Sequence, residues 1–413
     1  MNRLMQLEDV CTHIVDCPHS TPVWLDQGIR VIRNFNLKNG TLDFTDSYFV
    51  DKETYEDRIK RIVPDANDII FSREAPIGNV AIIPEGLKCC LGQRLVLLRA
   101  NTQIVNPHYL LYCLMSNSTQ YQIEQVNKSG SIVSNFNISD LKKLLLPIVE
   151  IDRQNKIVNC LSTIDKKIEI NRKINAEFES MINTIYNYWF NQFEFPNEEG
   201  KPYKSNGGKM VWNEELKKEI PEGWEVKNML EVVDWEGTSQ PPKSCFIYEE
   251  KEGYIRFIQN RDYDTNEHLT YIPIKMAKGI CNEYDILIDK YGDAGRIRYG
   301  LAGAYNVALS KIVVKENINR EYIRSYLSSK QVYSYLHESS MASTRASLNQ
   351  NNISFLKLVI PQCDILKQFN EIALLKIKDY LLRKNETIHL NNLRDFLIPL
   401  LMNGQIIFKE SNQ

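Results

Sequence analysis

Two rhythms of apolar residues alternate along this chain. Over residues 68–72, 80–83 and 95–99, short β-branched and aromatic runs bounded by turn residues predict strands, joined by Gly- and Pro-rich connections such as Ala75-Pro76-Ile77-Gly78. From 107 to about 125, Leu110, Leu111, Leu114 and Met115 share one face of a predicted helix, and Tyr322, Ile323, Tyr326 and Leu327 do the same over 319 to about 338. From 153 to about 190 the period shortens to 3.5. There Ile157, Leu161, Ile164, Ile168 and Asn171 follow at intervals of four, three, four and three, and Ile174, Phe178, Met181 and Ile185 continue the stripe after a shift. This is a coiled-coil seam on a rod of about 55 Å, at ~1.5 Å per residue.

The pattern occurs twice, about 215 residues apart, which marks a duplicated domain and not a solenoid of short repeats. Asp68-Ile69-Ile70-Phe71-Ser72-Arg73 through Gly78 returns as Asp285-Ile286-Leu287-Ile288-Asp289-Lys290 through Gly295. Asn137-Ile138-Ser139 with Leu144 to Pro147 returns as Asn352-Ile353-Ser354 with Leu358 to Pro361. Beyond each proline the long helical pattern begins, and the two copies align without gaps: Gln154 with Gln368, Leu161 with Leu375, Asp165 with Asp379, Ile168 with Leu382, Asn171 with Asn385, Ile174 with Ile388. The distal seam is therefore expected at Leu375, Leu382, Asn385 and Ile388.

The predicted order is a module over 1–150, a helix over 151–194, a turn-rich linker over 195–225, a second module over 226–361, a distal helix over 362–404 and a tail over 405–413. The fold class is α+β: two similar mixed α/β modules joined by two long antiparallel coiled-coil helices with pseudo-two-fold symmetry. Asn171 and Asn385 at seam positions would fix register at a cost in stability. A bundle core with no spacing role is the plainer alternative.

Composition narrows the class. The 413 residues, 43% hydrophobic and 25% charged, suit two or three ordinary folded domains. Nine Cys with no CxxC pair, and a vicinal Cys89-Cys90, indicate free thiols. No apolar run approaches the roughly 18 residues of a membrane span, and the N-terminal residues lack a basic region followed by an apolar stretch, so a cytoplasmic protein is expected. The net charge of -2 is unlike that of a protein that grips nucleic acid alone through phosphates.

Enzymatic motifs are missing. The chain has no GxxxxGK[ST] phosphate cradle, no GxGxxG after a strand and no HExxH, and Pro241-Pro242 lacks the flanking residues an amino-methylating enzyme uses. Cys11, His13, Cys17 and His19 crowd into nine residues, too cramped for tetrahedral zinc, so a loop using His19 for polar contact is expected and no metal.

The run Leu146-Pro147-Ile148-Val149-Glu150-Ile151-Asp152-Arg153-Gln154, continuing through Asp165-Lys166-Lys167-Ile168-Glu169-Ile170-Asn171, resembles the helical region of type I restriction-modification specificity subunits. So do the linker from Phe195-Pro196-Asn197 to Trp212, the entry Ile220-Pro221-Glu222-Gly223-Trp224, and Val15-Asp16-Cys17-Pro18-His19-Ser20-Thr21-Pro22. The resemblance covers the whole chain. The distal helix departs from it, with a drifting stripe (Leu374, Ile377, Leu381, Ile388) and polar Asp379 and Glu386.

The resemblance implies that the modules are target recognition domains, each reading one half of a split double-stranded DNA target. It also implies that the helices serve as a ruler and as the docking surface for two methylation subunits, joined by restriction subunits. The chain itself would be non-catalytic and hold no cofactor; S-adenosylmethionine would belong to the methylation subunits, and ATP and magnesium to the restriction subunits. A protein-binding scaffold that reads no DNA and a free-standing DNA methyltransferase or nuclease are the alternatives.

Base reading needs Arg or Lys toward guanine and Asn or Gln toward adenine, on loops near strand ends. In the first module the candidates are His19, Arg33, Asn34, Arg73 and the turn Lys128-Ser129-Gly130-Ser131. In the second they are Gln259, Asn260, Arg261, Lys290, Arg296 and Thr344-Arg345-Ala346-Ser347. The two sets differ in residue type, so the expected target is asymmetric. Each residue taken singly could equally be a solvated surface charge or a turn residue.

Overall fold

The computed structural model describes residues 3–128, 136–263, 268–316, 320–341, 347–406 and 408, with the side chains of 127 and 128 left out. The chain divides into two compact units, Met1–Ile170 with Thr387–Gln413, and Asn171–Glu386. Each long helix thus contributes one part to each unit.

In the first unit the strand Arg3–Gln6 pairs antiparallel with Leu145–Ile148, which closes the start of the module onto its end. Between them lies a four-stranded sheet in the order Cys11–Asp16, Leu95–Ala100, Ile69–Ser72, Val80–Ile82. A three-stranded sheet, Tyr48–Val50, Ile29–Ile32, Cys89–Leu91, covers one of its faces. The unbroken apolar run Leu95 to Leu98 is buried on both sides: Val96 and Leu98 face the helices, and Leu95 and Leu97 face the smaller sheet. A strand with two covered faces needs no polar alternation.

The second unit repeats this plan. Glu225–Asn228 pairs with Lys357–Ile360, and the main sheet runs Val233–Glu236, Leu309–Val314, Ile286–Asp289, Ile297–Arg298. The second sheet gains a strand: Tyr271–Pro273, Tyr254–Ile258, Gly303–Tyr305, Ile280–Cys281.

Two expectations require correction. Each single module helix is in fact two, Pro107–Met115 followed by Asn117–Lys128, and Arg320–Ser328 followed by Lys330–Met341. Ser116 takes an extended conformation and its carbonyl accepts the first bonds of the next helix from Thr119 and Gln120, while Ser329 accepts likewise from Tyr333. An apolar stripe does not register such a break, because two short helices at a bend can still face one core.

The seam also differs. Met181 is 43% exposed, and Ile182 is buried in its place. The inner face runs from Asn171 through Asn175, Phe178 and Ile182, keeping the four-three spacing without a shift. On the distal helix, Cys363–Met402, Leu375 and Leu382 are 65% and 68% exposed and Asn385 is exposed, whereas Phe369, Ala373, Ile377 and Leu381 are buried. Two positions along a helix turn about 200°, so the gapless alignment placed these leucines on the outer side. What sets the rotation is the aromatic cluster: Phe369 meets Phe190 at 5.0 Å and Tyr186 at 6.2 Å.

Within each unit the helices run antiparallel. In the first, Ile157, Val158 and Leu161 share a core with Ile398, Leu401 and Met402, and Arg394 pairs with Asp165 at 3.1 Å. In the second, Asn171 donates to Glu386 at 2.7 Å and Asn175 to the carbonyl of Tyr380 at 3.2 Å.

The turn-rich linker is itself folded. It forms a hairpin, Met210–Asn213 with Lys218–Pro221, and Phe195 stacks on Tyr203 at 4.5 Å and on Trp224 at 4.8 Å within the second unit's core.

The observed seam predicts that Leu161→Ala destabilises the first unit by about 2–5 kcal/mol, whereas Leu382→Ala changes stability by no more than about 0.5 kcal/mol. Urea unfolding of the full chain measures both; equal losses would place the seam where the alignment put it.

Candidate nucleic-acid interface

The repeated Asp-Ile sequence ends each time in a loop closed by the same bonds. Ser72 donates its N–H to the Asn79 carbonyl at 2.8 Å and accepts from Gly78 at 2.9 Å; Asp289 donates to Arg296 and accepts from Gly295, each at 2.9 Å. Gly78 and Gly295 have φ of 88° and 94°, and a Cβ at Gly295 would lie 2.8 Å from that of Leu336. The glycines recur because both backbone conformation and close helix approach exclude a side chain.

Arg73 and Lys290 are equivalent in backbone. Arg73 bonds the Arg94 carbonyl and accepts from Phe136, as Lys290 bonds the Ala308 carbonyl and accepts from Leu348. Their side chains part company. The Arg73 guanidinium is buried, with Nη1 2.9 Å from both Asp16 oxygens and Nε donating to the Phe136 carbonyl at 2.9 Å. It is a fastener between strand and loop, and not the base-reading side chain expected from the sequence. Lys290 is half-buried, its Nζ 5.7 Å from the centre of the exposed Tyr291 ring.

Four first-module candidates meet at one end of the sheets. His19 Nε2 lies 3.0 Å from Asp16 Oδ2, so it joins Arg73 through that carboxylate. Asn34 donates one amide proton to the Ala75 carbonyl at 2.7 Å, which ties its side chain to that loop. Arg33 lies over the rings of Tyr48, Phe35 and Trp24, at 4.6, 4.9 and 5.0 Å. Gln93 and Arg94, missed in the sequence, complete the cluster: Gln93 bonds His19 and Thr21, and Arg94 pairs with Glu74 at 3.0 Å. Their signal was slight, a glycine before a polar pair. A Cβ on Gly92 would come 2.9 Å from the Ile32 carbonyl and 3.2 Å from Arg33 Cγ.

In the second module, Gln259 donates to Thr270 Oγ at 3.2 Å, Arg261 bonds the His268 carbonyl at 3.3 Å, and Arg296 pairs with Asp293 at 3.1 Å. Asn260 Oδ1 is buried without a partner among the described residues. Ser347 bonds the Ser340 carbonyl through its N–H at 3.2 Å. The side chain of Lys128, and Ser129, Ser131, Thr344 and Arg345, lie outside the described residues.

Where the first module has Ser72, the second has the buried Asp289, whose Oδ2 takes Nε and Nη2 of Arg298 at 3.1 and 3.0 Å. Burial pushes this carboxyl up to about 6 against the opposing pull of Arg298.

The Cys/His cluster disperses. Cys17 is buried and accepts the Leu95 N–H at 3.2 Å, while His13 bonds Thr12 at 3.1 Å. Among the described residues no group of three or more His, Cys, Asp or Glu could hold a metal ion, and no helix is long and apolar enough to cross a membrane.

One scaffold bearing different polar side chains at matched loop positions defines a two-module recognition protein. The type I restriction modification DNA specificity domain matches residues 5–180 and again 221–387, and the chain belongs to that family. Recognition of a DNA target is its function. The type I restriction enzyme MjaIX specificity subunit of Methanocaldococcus jannaschii is 25% identical over 359 residues, covering 85% of this chain and 80% of its own. The HindI specificity subunit of Haemophilus influenzae is 23% identical over 415 residues, covering 82% and 86%. A crystal structure of the type I restriction-modification S subunit from M. genitalium shares the fold, with a TM-score of 0.56 at 16% identity and coverage of 97% and 96%.

Two outcomes follow from the buried ion pairs. Arg73→Lys keeps the charge but loses the forked contact and the Phe136 bond, which costs about 1.5–3 kcal/mol, whereas Lys290→Ala stays within about 0.5 kcal/mol in the same denaturation assay. Asp289 has a folded-state pKa above its unfolded one, so it binds a proton on folding. Its contribution to stability is full below about pH 4 and is lost as pH rises through about 6; Asp289→Asn flattens that descent in a pH series of melting temperatures, and an unchanged slope would contradict the assignment.

Proposed function

We propose that this chain reads an asymmetric, two-part double-stranded DNA target, one module to each half-site, as the non-catalytic specificity subunit of a cytoplasmic type I restriction-modification enzyme. The observation that carries this reading is the duplication itself: one backbone frame, repeated to the level of individual loop hydrogen bonds, presents Arg33 in the first module where the second has Gln259, and Arg73 where the second has Lys290. Identical frames with unlike side chains suit two different short sequences better than one palindrome.

In this reading the long helices, 36 and 40 residues, set the gap between half-sites and dock two methylation subunits, with restriction subunits joining through them. The outward Leu375 and Leu382 of the second unit, and Leu393 and Phe396 of the first, offer apolar surface for such partners. S-adenosylmethionine, ATP and magnesium would act in those subunits. The net charge of -2 fits partners that supply much of the phosphate contact.

Co-expression with a methylation subunit, followed by sequencing of methylated genomic DNA, tests the proposal. The expected result is an adenine-methylated motif of two unlike parts at a fixed gap, absent when the chain is expressed alone. Methyl transfer by the chain alone, or an unbroken motif, would overturn it. Matched seven-residue insertions in both helices should lengthen the gap by about three base pairs, at ~1.5 Å per residue against ~3.4 Å per base pair.

A further inference from the structure

We infer that Arg33 and Gln259 occupy one base-reading position in the two modules, reading guanine in the first half-site and adenine at the matching place in the second. The inference rests on the two-part DNA reading above and adds the residue pair and the bases.

The equivalence is structural. The strands Ile29–Ile32 and Tyr254–Ile258 each run parallel to a later strand, Cys89–Leu91 and Gly303–Tyr305. The last strand residue receives one bond from that partner's far side, Gly92 N–H to the Ile32 carbonyl at 2.7 Å and Asn306 N–H to the Ile258 carbonyl at 3.0 Å. The next residue then opens a tight turn by donating its own N–H to a side chain three positions on: Arg33 to Asn36 at 2.9 Å, Gln259 to Asp262 at 3.0 Å. Position for position, Arg33 is Gln259.

The side chains are held in different ways that leave their recognition edges available. Most arginines around the first loop cluster are committed within the protein: Arg73 to Asp16 and Phe136, Arg58 to the carbonyls of Leu91, Ser20 and Pro18, Arg94 to Glu74. Arg33 makes no side-chain hydrogen bond to a described residue. Instead its guanidinium is held by the Tyr48, Phe35 and Trp24 rings, which also pack edge to face on one another at 5.1 and 5.8 Å. Aromatic faces attract the cation and fix its plane without consuming its N–H donors, and a fork fixed beforehand loses less freedom on binding. A flat pair of donors matches the O6 and N7 acceptors of guanine.

Gln259 is anchored through one amide proton to the buried Thr270 hydroxyl at 3.2 Å. Its carbonyl oxygen and second amide proton remain, which is the acceptor-donor pair that adenine N6 and N7 require. A phosphate contact would need neither the fixed plane of Arg33 nor the amide of Gln259.

The test exchanges the two side chains in the full chain, assembled with its methylation subunits, and selects bound sequences from DNA pools randomised in one half-site at a time. Arg33→Gln should turn one position of the first half-site from guanine to adenine, lowering preference for the original base about 10- to 100-fold and leaving the second half unchanged. Gln259→Arg should do the reverse in the second half, and it decides the matter independently if the first variant fails to fold. Arg33→Lys, which retains charge but not the fork, should lose the guanine preference by a similar factor. Unaltered selected sequences in both exchange variants would overturn the inference, as would Arg33→Lys binding more weakly to all sequences with its base preference intact. Absence of any selected sequence with the unmodified complex would instead remove the DNA reading on which the inference rests.

Discussion

A buried arginine near the end of the distal helix holds the first unit together. Arg394 reaches Asp165 of the other long helix at 3.1 Å, its own neighbour Asp395 at 3.0 Å and the carbonyl of Asn39 in the module at 3.4 Å. Asp165 also accepts the Tyr112 hydroxyl of a module helix at 2.5 Å. One carboxylate and one guanidinium thus join two helices and a module. Removing Asp165 would leave the buried guanidinium with only Asp395 and the Asn39 carbonyl, and would free Tyr112 as well, so helix pairing and module attachment are coupled in that unit.

The second unit reaches the same end by different chemistry. Its helix pair is fastened by Asn171 to Glu386 and Asn175 to the Tyr380 carbonyl, and the module joins through Tyr299, which donates to Glu179 at 3.2 Å and packs on Tyr380 at 5.5 Å. An aromatic cluster of Tyr186, Phe190, Tyr322 and Phe369 packs the helices and the module together, and a buried Arg324–Glu321 pair at 2.7 Å lies against Tyr299. Duplication therefore preserved backbone hydrogen bonds more faithfully than side-chain contacts. That difference allows two loops of one geometry to carry different polar groups.

Some of this was legible in the chain and some was not. The duplicated modules, the mixed sheets and the long helices followed from periodicity, because a buried strand or a helix face imposes its spacing on local residues. The recurrence of Gly78 as Gly295 pointed to a loop that admits no side chain. Arg73 misled: a positive residue at a strand end looks available for DNA, and only the proximity of Asp16, 57 positions away, shows it to be committed. The tie of Asn34 was equally hidden, since one of its amide protons goes to a carbonyl 41 positions distant.

The sequence by itself determined the main helices and strands, though not the breaks at Ser116 and Ser329, and that the frame is used twice, since local spacing depends on neighbours a few residues away. Only the tertiary structure decided which side of the distal helix turns inward, that Leu375 and Leu382 face outward, and which polar loop residues keep their donors. The physical reason is that rotation about a helix axis and the partner of a hydrogen bond are set by atoms brought together from far apart in the chain. A gapless alignment of two helices carries neither.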